Sequence, residues 1–261
     1  MINMIHAENK RLWKSKGFWI SSVVFVLVYV LSIFMQVYAQ NAGMFHTTNA
    51  PLEPGFYISV DVVVKSLNMF AVMFGHSFGS LILGIYLSIF VCNEYSSGYI
   101  KNIISLSHGR TAIIISKIVV AAVLAFVILL LSYGVALLLG AFLIEGFEIE
   151  SFETILPSCF MMFMMTVALF SLVIMITTLF RSRVAGILLV LLIPSGMLQP
   201  FFSSLLDMLH ISFLSDYTLS SLFLNTALIE TNEQTTVFLV TVVYILLYNM
   251  ISIFIMQKRD I

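Results

Sequence analysis

Gly75-His76-Ser77-Phe78-Gly79 matches G-x-S-x-G, the spacing by which a hydrolase presents a nucleophilic serine at a sharp strand-to-helix turn. That chemistry needs the turn, and an acidic residue to orient a histidine. Here the motif lies inside an apolar run and no Asp is evident at depth beside it. The simpler reading is helix packing: Gly75 and Gly79 let a neighbouring helix approach closely, while His76 and Ser77 hydrogen-bond across. A place for His76 in a substrate path, or intramembrane hydrolysis at Ser77, are the sharper alternatives.

Other reactive groups point to no catalyst and no metal. None of the five histidines sits in an H-E-x-x-H run, and no Cys/His cluster has zinc spacing. Cys92 and Cys159 fall in apolar stretches that the topology below places at opposite membrane faces. A disulfide, which needs Cα atoms about 6 Å apart, is then excluded. Met161, Met162, Met164, Met165 and Met175 crowd one stretch. Methionine re-packs around varied apolar ligands, but it is also ordinary filler, so no lining residue is named from it.

Two segments carry a pattern of another kind. Between Asn93 and Arg110, Ser96 or Ser97 can cap a short helix. Tyr99, Ile100, Ile103, Ile104 and Leu106 give it an apolar side, and Gly109 a stop. Such a helix lies on lipid headgroups or fills a groove on a partner. Near the N-terminus, Ile2, Ile5, Leu12 and Trp13 share one broad helical face, with Lys10, Arg11 and Lys14 around it. Lying flat in the inner headgroups, this helix meets anionic lipid; the plainer reading is a charged flank that sets topology alone.

The elements that hold these segments follow from composition. The chain has 261 residues, 61% hydrophobic and only 10% charged, with a mean hydropathy of +1.08. Soluble domains carry about a quarter charged residues, so an ordinary cytosolic enzyme is excluded, as is a disordered chain. A net charge of −1 gives nucleic acid no electrostatic reason to bind. A bilayer core about 30 Å thick takes about 20 apolar residues. Six stretches qualify: roughly 18–39, 68–92, 114–144, 155–180, 184–206 and 236–256. Pro194 and the Gln199-Pro200 pair predict that the fifth breaks near the far interface. Residues 201–235 are too polar to cross twice and read as an external region with a re-entrant pair of short helices.

Charge placement sets the direction. Lys10, Arg11, Lys14 and Lys16 precede the first stretch; Lys101, Arg110 and Lys117 follow the second. Arg181 and Arg183 follow the fourth, and Lys258 and Arg259 the last. The other side holds Lys65 alone among basic residues, with Glu53, Asp61, Glu145, Glu148, Glu150, Glu153, Asp216, Glu230 and Glu233. The positive-inside rule puts both termini in the cytoplasm. An apolar run of about 22 residues is too long for a signal-peptide core, despite Val37-Tyr38-Ala39. The expectation is an all-α membrane protein in one transmembrane domain, residues 1–261, with residues 1–17 as an interfacial helix.

At residues 93–110 the chain resembles the membrane subunits of ABC type-2 transporters. Their loop between the second and third spans reads Glu-aromatic-x-x-Gly-x-x-Lys, then a Ser-rich stretch and an Arg. Glu94, Tyr95, Gly98, Lys101, Ser105, Ser107 and Arg110 stand at those places; Tyr99 departs from the small residue or Thr common there. The resemblance implies a coupling helix at about 95–106 that docks on a cytoplasmic ABC ATP-binding subunit. Its contacts would come from Glu94, Tyr95, Ser97, Gly98, Tyr99, Lys101, Ile104, Ser107 and Arg110. It also implies a second permease chain, identical or a sister.

No G-x-x-x-x-G-K-[ST] loop and no Gly-Lys pair occur, so ATP and Mg belong to the partner and no cofactor to this chain. Apolar spans without charges at depth argue against a self-powered transporter. They favour an amphipathic or lipid-like cargo. Similarity to small bacterial permeases of peptide-antibiotic immunity suggests a membrane-active peptide exported across the bacterial cell membrane. The competing readings are an intramembrane serine hydrolase using Ser77, and a non-transporting membrane sensor or immunity partner.

Overall fold

The computed structural model describes residues 2–41, 78–98, 109–143, 152–224 and 234–258. Every regular element among them is helical. In chain order they are α1 (Ile2–Lys14), α2 (Lys16–Asn41), α3 (Phe78–Ser96), α4 (Gly109–Leu143) and α5 (Phe152–Phe180). There follow α6 (Arg183–Leu192), α7 (Gln199–Met208), a 3-10 turn at Ser212–Leu214, α8 (Leu219–Leu224) and α9 (Gln234–Lys258).

Five helices, α2, α3, α4, α5 and α9, are long and apolar enough to cross a membrane. Helix α4 has 35 residues, about 52 Å at 1.5 Å per residue, so it projects well beyond the hydrocarbon. Helix α5 lies at the centre, packed against α3, α4, α6 and most extensively α9. Both α2 and α9 turn rows of large apolar side chains outward, among them Leu27, Leu31, Leu246 and Phe254. Lipid is the natural solvent for those faces.

The stretch expected to be the fifth span is divided earlier than the sequence predicts. Helix α6 has 10 residues, about 15 Å, or half the hydrocarbon thickness. Its last ladder bond runs from the Ile193 amide to the Leu189 carbonyl at 3.0 Å. Pro194 has no amide with which to continue that ladder, and Gly196 then turns the chain at φ 72°. A carbonyl freed by this break is taken up by protein. The Ile193 carbonyl accepts from the Gly196 amide and from Ser220 Oγ, each at 3.1 Å. Residues 199–224 then run as short helices, α7 and α8, which fits the broken region expected between the last two spans.

Small residues set how closely the inner helices approach. A Cβ on Gly79 would lie 2.8 Å from Ile128 Cγ2 and 3.0 Å from the Phe25 ring. One on Gly84 would lie 2.8 Å from Val190, and one on Gly186 2.6 Å from both Ser88 Oγ and Thr177 Cγ2. Backbones that come this near gain packing that lipid cannot supply.

Candidate functional site

Charge is scarce in the helical bundle, and four of the charged side chains converge at one point. Glu94 sits in the last turn of α3, Lys117 in the third turn of α4, and Glu8 and Arg11 one turn apart on α1. Lys117 Nζ donates to Glu8 Oε2 at 2.9 Å and also to Glu94 Oε1. Arg11 donates to Glu94 Oε1 as well, to Glu8 Oε1 at 3.4 Å and to the Phe90 carbonyl at 3.4 Å. Its guanidinium lies 4.0 Å from the Phe90 ring centroid, with Lys117 Nζ 5.0 Å from the same ring. Glu8, Glu94 and Lys117 are at most 3% exposed, whereas Arg11 keeps about a third of its side chain open.

Two carboxylates and two cations make the group formally neutral, and neutrality is what allows it to be buried. A lone charge removed from water is prohibitively costly, while a paired and hydrogen-bonded one is tolerable. The arrangement has no nucleophile or open position and no acid poised against a base. Among the described residues no group of His, Cys, Asp and Glu is placed to hold a metal ion. Its chemistry is mechanical: it ties three helices at one spot.

Neighbouring contacts gather more elements at the same end. Arg110 donates to the Gln257 carbonyl, joining α4 to the end of α9. Arg183 donates to Ser96 Oγ at 3.3 Å, joining α6 to the end of α3. The Arg181 guanidinium lies 5.8 Å from the Tyr95 ring centroid. An apolar cap of Ile113, Ile114 and Met256, with Met4, Tyr95, Ile118 and Ile253 against it, fills the space beside the charges. The N-terminal helix and the end of the last span therefore share one end of the bundle, together with most of its basic residues.

Of the expected site residues, Glu94, Tyr95, Ser97, Gly98 and Arg110 are described; Tyr99, Lys101, Ile104 and Ser107 lie outside the described residues. Glu94 and Tyr95 belong to α3 itself. Ser96 and Ser97 stand at the close of that helix, their hydroxyls donating back to the Asn93 and Glu94 carbonyls at 3.1 and 3.4 Å; the short helix expected after them lies outside the described residues. Gly98 follows at φ 71°, the left-handed stop after a helix end. Gly79 is buried in helix packing, while Gly75, His76 and Ser77 fall outside the described residues.

Helix α1 is rotated relative to the expected apolar face. Leu12 is buried, but Ile2 and Trp13 point outward at 78% and 47% exposure, beside exposed Lys10 and Lys14. The inward face is led by Glu8, and Arg11 turns in with it. Burying an ion pair on the protein side leaves the remaining apolar residues for the outward side. Trp19 Nε1 donates to the Trp13 carbonyl at 3.0 Å and fixes the elbow into α2. Glu8 is the residue that sequence reasoning missed. In a basic flank one glutamate looks solvated; the available signal was an unpaired Lys117 inside an apolar helix, which demands a carboxylate nearby.

Residues 4–195 match the model of the ABC-2 family transporter protein, a stretch that takes in all but the first two residues of α1, the whole of α2 through α6, and all four cluster residues. Among curated proteins none matches the chain. With five apolar helices able to cross a bilayer and that match over most of its length, this multi-pass membrane protein belongs to the ABC-2 transporter family, as a permease subunit and not a catalyst.

Proposed function

We propose that this chain is the permease of an ATP-driven exporter in the bacterial cell membrane, moving an amphipathic or lipid-like substrate, foremost a membrane-active peptide. A separate cytoplasmic subunit binds ATP and Mg, and two permease chains, identical or sisters, enclose the path. The basic end of the bundle faces the cytoplasm; Lys10, Lys14, Lys16, Arg110, Arg181, Arg183 and Lys258 support that direction.

The observation that carries the reading is that α3 closes at the Gly98 turn and α4 opens at Gly109, so that residues 99–108 are the chain between two inner helices. Any displacement of this segment acts on the ends of two inner spans. A partner that closes on ATP would push it, and rigid helices would carry the push into the membrane as a rigid-body change. The apolar interior supports the substrate class. Among the described residues, the charges in the span helices lie near helix ends: Lys16, Glu94, Arg110, Lys117, Glu153 and Lys258. Among the described residues no charged side chain stands at mid-depth to replace the hydration of an ionic solute.

The test is purification of the chain from its native membrane, identification of the polypeptide that comes with it, and reconstitution of the pair. ATP-dependent flux of a fluorescent cationic amphipathic peptide is expected. Lys101→Glu and Ile104→Asp should release the partner and stop flux while leaving membrane insertion intact. Nucleotide binding by the isolated chain, or labelling of Lys101→Cys from outside intact cells, overturns the reading.

A further inference from the structure

We propose that Glu8 and Lys117 are positioning residues for the 99–108 segment: by holding Glu94 between α1 and α4, they make α1 travel as one piece with the adjoining ends of α3 and α4. The inference rests on the reading of that segment as the part a partner pushes.

Three observations carry it. First, Glu94 Oε1 accepts from both Lys117 and Arg11, and Glu94 lies four positions before the turn at Gly98. Whatever fixes this carboxylate fixes the root of the segment. Second, Glu8 is the only acidic residue before Glu53, and Lys117 Nζ reaches it at 2.9 Å. Without Glu8 the buried group would hold two cations for one carboxylate, and the surplus charge would have to be solvated by moving a helix. Third, α1 has few other holds. It is 13 residues long, its buried residues are Glu8 and Leu12, and Ser15 alone separates it from α2. A helix of that length is marginal by itself, so its place depends on what it docks against. Parting the buried members of a charge-paired joint is costly, because each is left as an uncompensated ion, so the joint resists being pulled open. Glu8 thus couples α1, with Trp13, Lys10 and Lys14 on its outer side, to the helix ends from which residues 99–108 run.

The experiment uses the full chain in lipid nanodiscs, with Cys92 and Cys159 replaced by Ser and spin labels at Lys10→Cys on α1 and Lys258→Cys on α9. A single narrow distance distribution is expected. Glu8→Gln, which keeps shape and removes charge, should broaden it. The exchange Glu8→Lys with Lys117→Glu, which restores two cations and two carboxylates, should narrow it again. In the reconstituted complex, Glu8→Gln should lower peptide flux per ATP hydrolysed severalfold with the amount of bound partner unchanged, and the exchange should recover it. An unchanged distribution in Glu8→Gln, unaltered flux per ATP, or an exchange that restores neither readout overturns the proposal. Absence of ATP-dependent flux in the unmodified complex would instead sink the exporter reading, and the distance arm would still decide whether Glu8 holds α1.

Discussion

Lys117 and Glu8 meet at 2.9 Å although they stand 109 positions apart in the chain, and both are almost fully buried. Removing one member of such a pair strands the others. Lys117→Met leaves Glu8 and Glu94 facing each other with Arg11 as their shared cation, and a cost of roughly 3–5 kcal/mol is expected. Lys117→Met combined with Glu8→Gln leaves one neutral Arg11–Glu94 pair, and most of that loss should return. Thermal unfolding of the two variants in detergent, completed as a double-mutant cycle with Glu8→Gln, measures the coupling directly.

Helix α6 is held against α3 and α5 through Gly186. A methyl there would stand 2.6 Å from Ser88 Oγ and 2.6 Å from Thr177 Cγ2. Ser88 is itself fixed, donating to the Gly84 carbonyl at 3.0 Å, and Thr177 donates to the Val173 carbonyl at 2.7 Å. Neither can swing aside freely, so Gly186→Ala should destabilise by about 1–3 kcal/mol, the usual cost of overpacking. Adding Ser88→Ala and Thr177→Ser removes both clashing atoms. If that triple variant unfolds at the temperature of Gly186→Ala alone, close approach at Gly186 is not the cause.

How much of this could be read from the chain alone varies by residue. The crossing helices follow from apolar runs whose length the bilayer dictates, and α9 lies within two residues of its expected bounds at each end. Pro194 and Gly196 were legible as a break, but not its depth, because the ladder fails at Ile193 before the second proline is reached. The motif residues Glu94 and Gly98 were visible through resemblance, while the burial of Glu94 was not. Its partners come from positions 83 and 23 residues away, Arg11 and Lys117, and a contact of that kind has no local pattern. Gly186 was equally silent, since a glycine at a helix crossing is informative only once its neighbour is known.

Gly98 offers a backbone test free of side-chain crowding. Among the described residues a Cβ at this position would meet nothing within 4 Å, yet φ is +71°. Any loss on substitution must therefore come from the left-handed conformation, which costs an ordinary L residue about 1–2 kcal/mol. Asparagine tolerates this region and β-branched residues do not. The expected order of stability is Gly98, then Asn, then Ala, with Val lowest. An order that follows side-chain volume with Asn below Ala would mean that space, not φ, governs the turn.

Asn249 joins α9 to α5, the most extensive helix pair in the bundle. Its Nδ2 donates to Ser171 Oγ at 3.2 Å and to the Ile245 carbonyl at 2.7 Å. Its Oδ1 is buried and has no partner among the described residues. The amide thus gains one interhelical bond, which in membrane proteins averages only about 0.6 kcal/mol. Against this stands a desolvated carbonyl, which costs about 1–3 kcal/mol in protein interiors. The second effect offsets the first. Asn249→Leu, with the same number of side-chain heavy atoms, should therefore leave stability within about 1 kcal/mol of the parent or raise it. Ser171→Ala should likewise cost less than about 1 kcal/mol. Chemical denaturation in mixed micelles measures both, and a loss above about 3 kcal/mol for Asn249→Leu would show that Oδ1 is bonded in the folded protein.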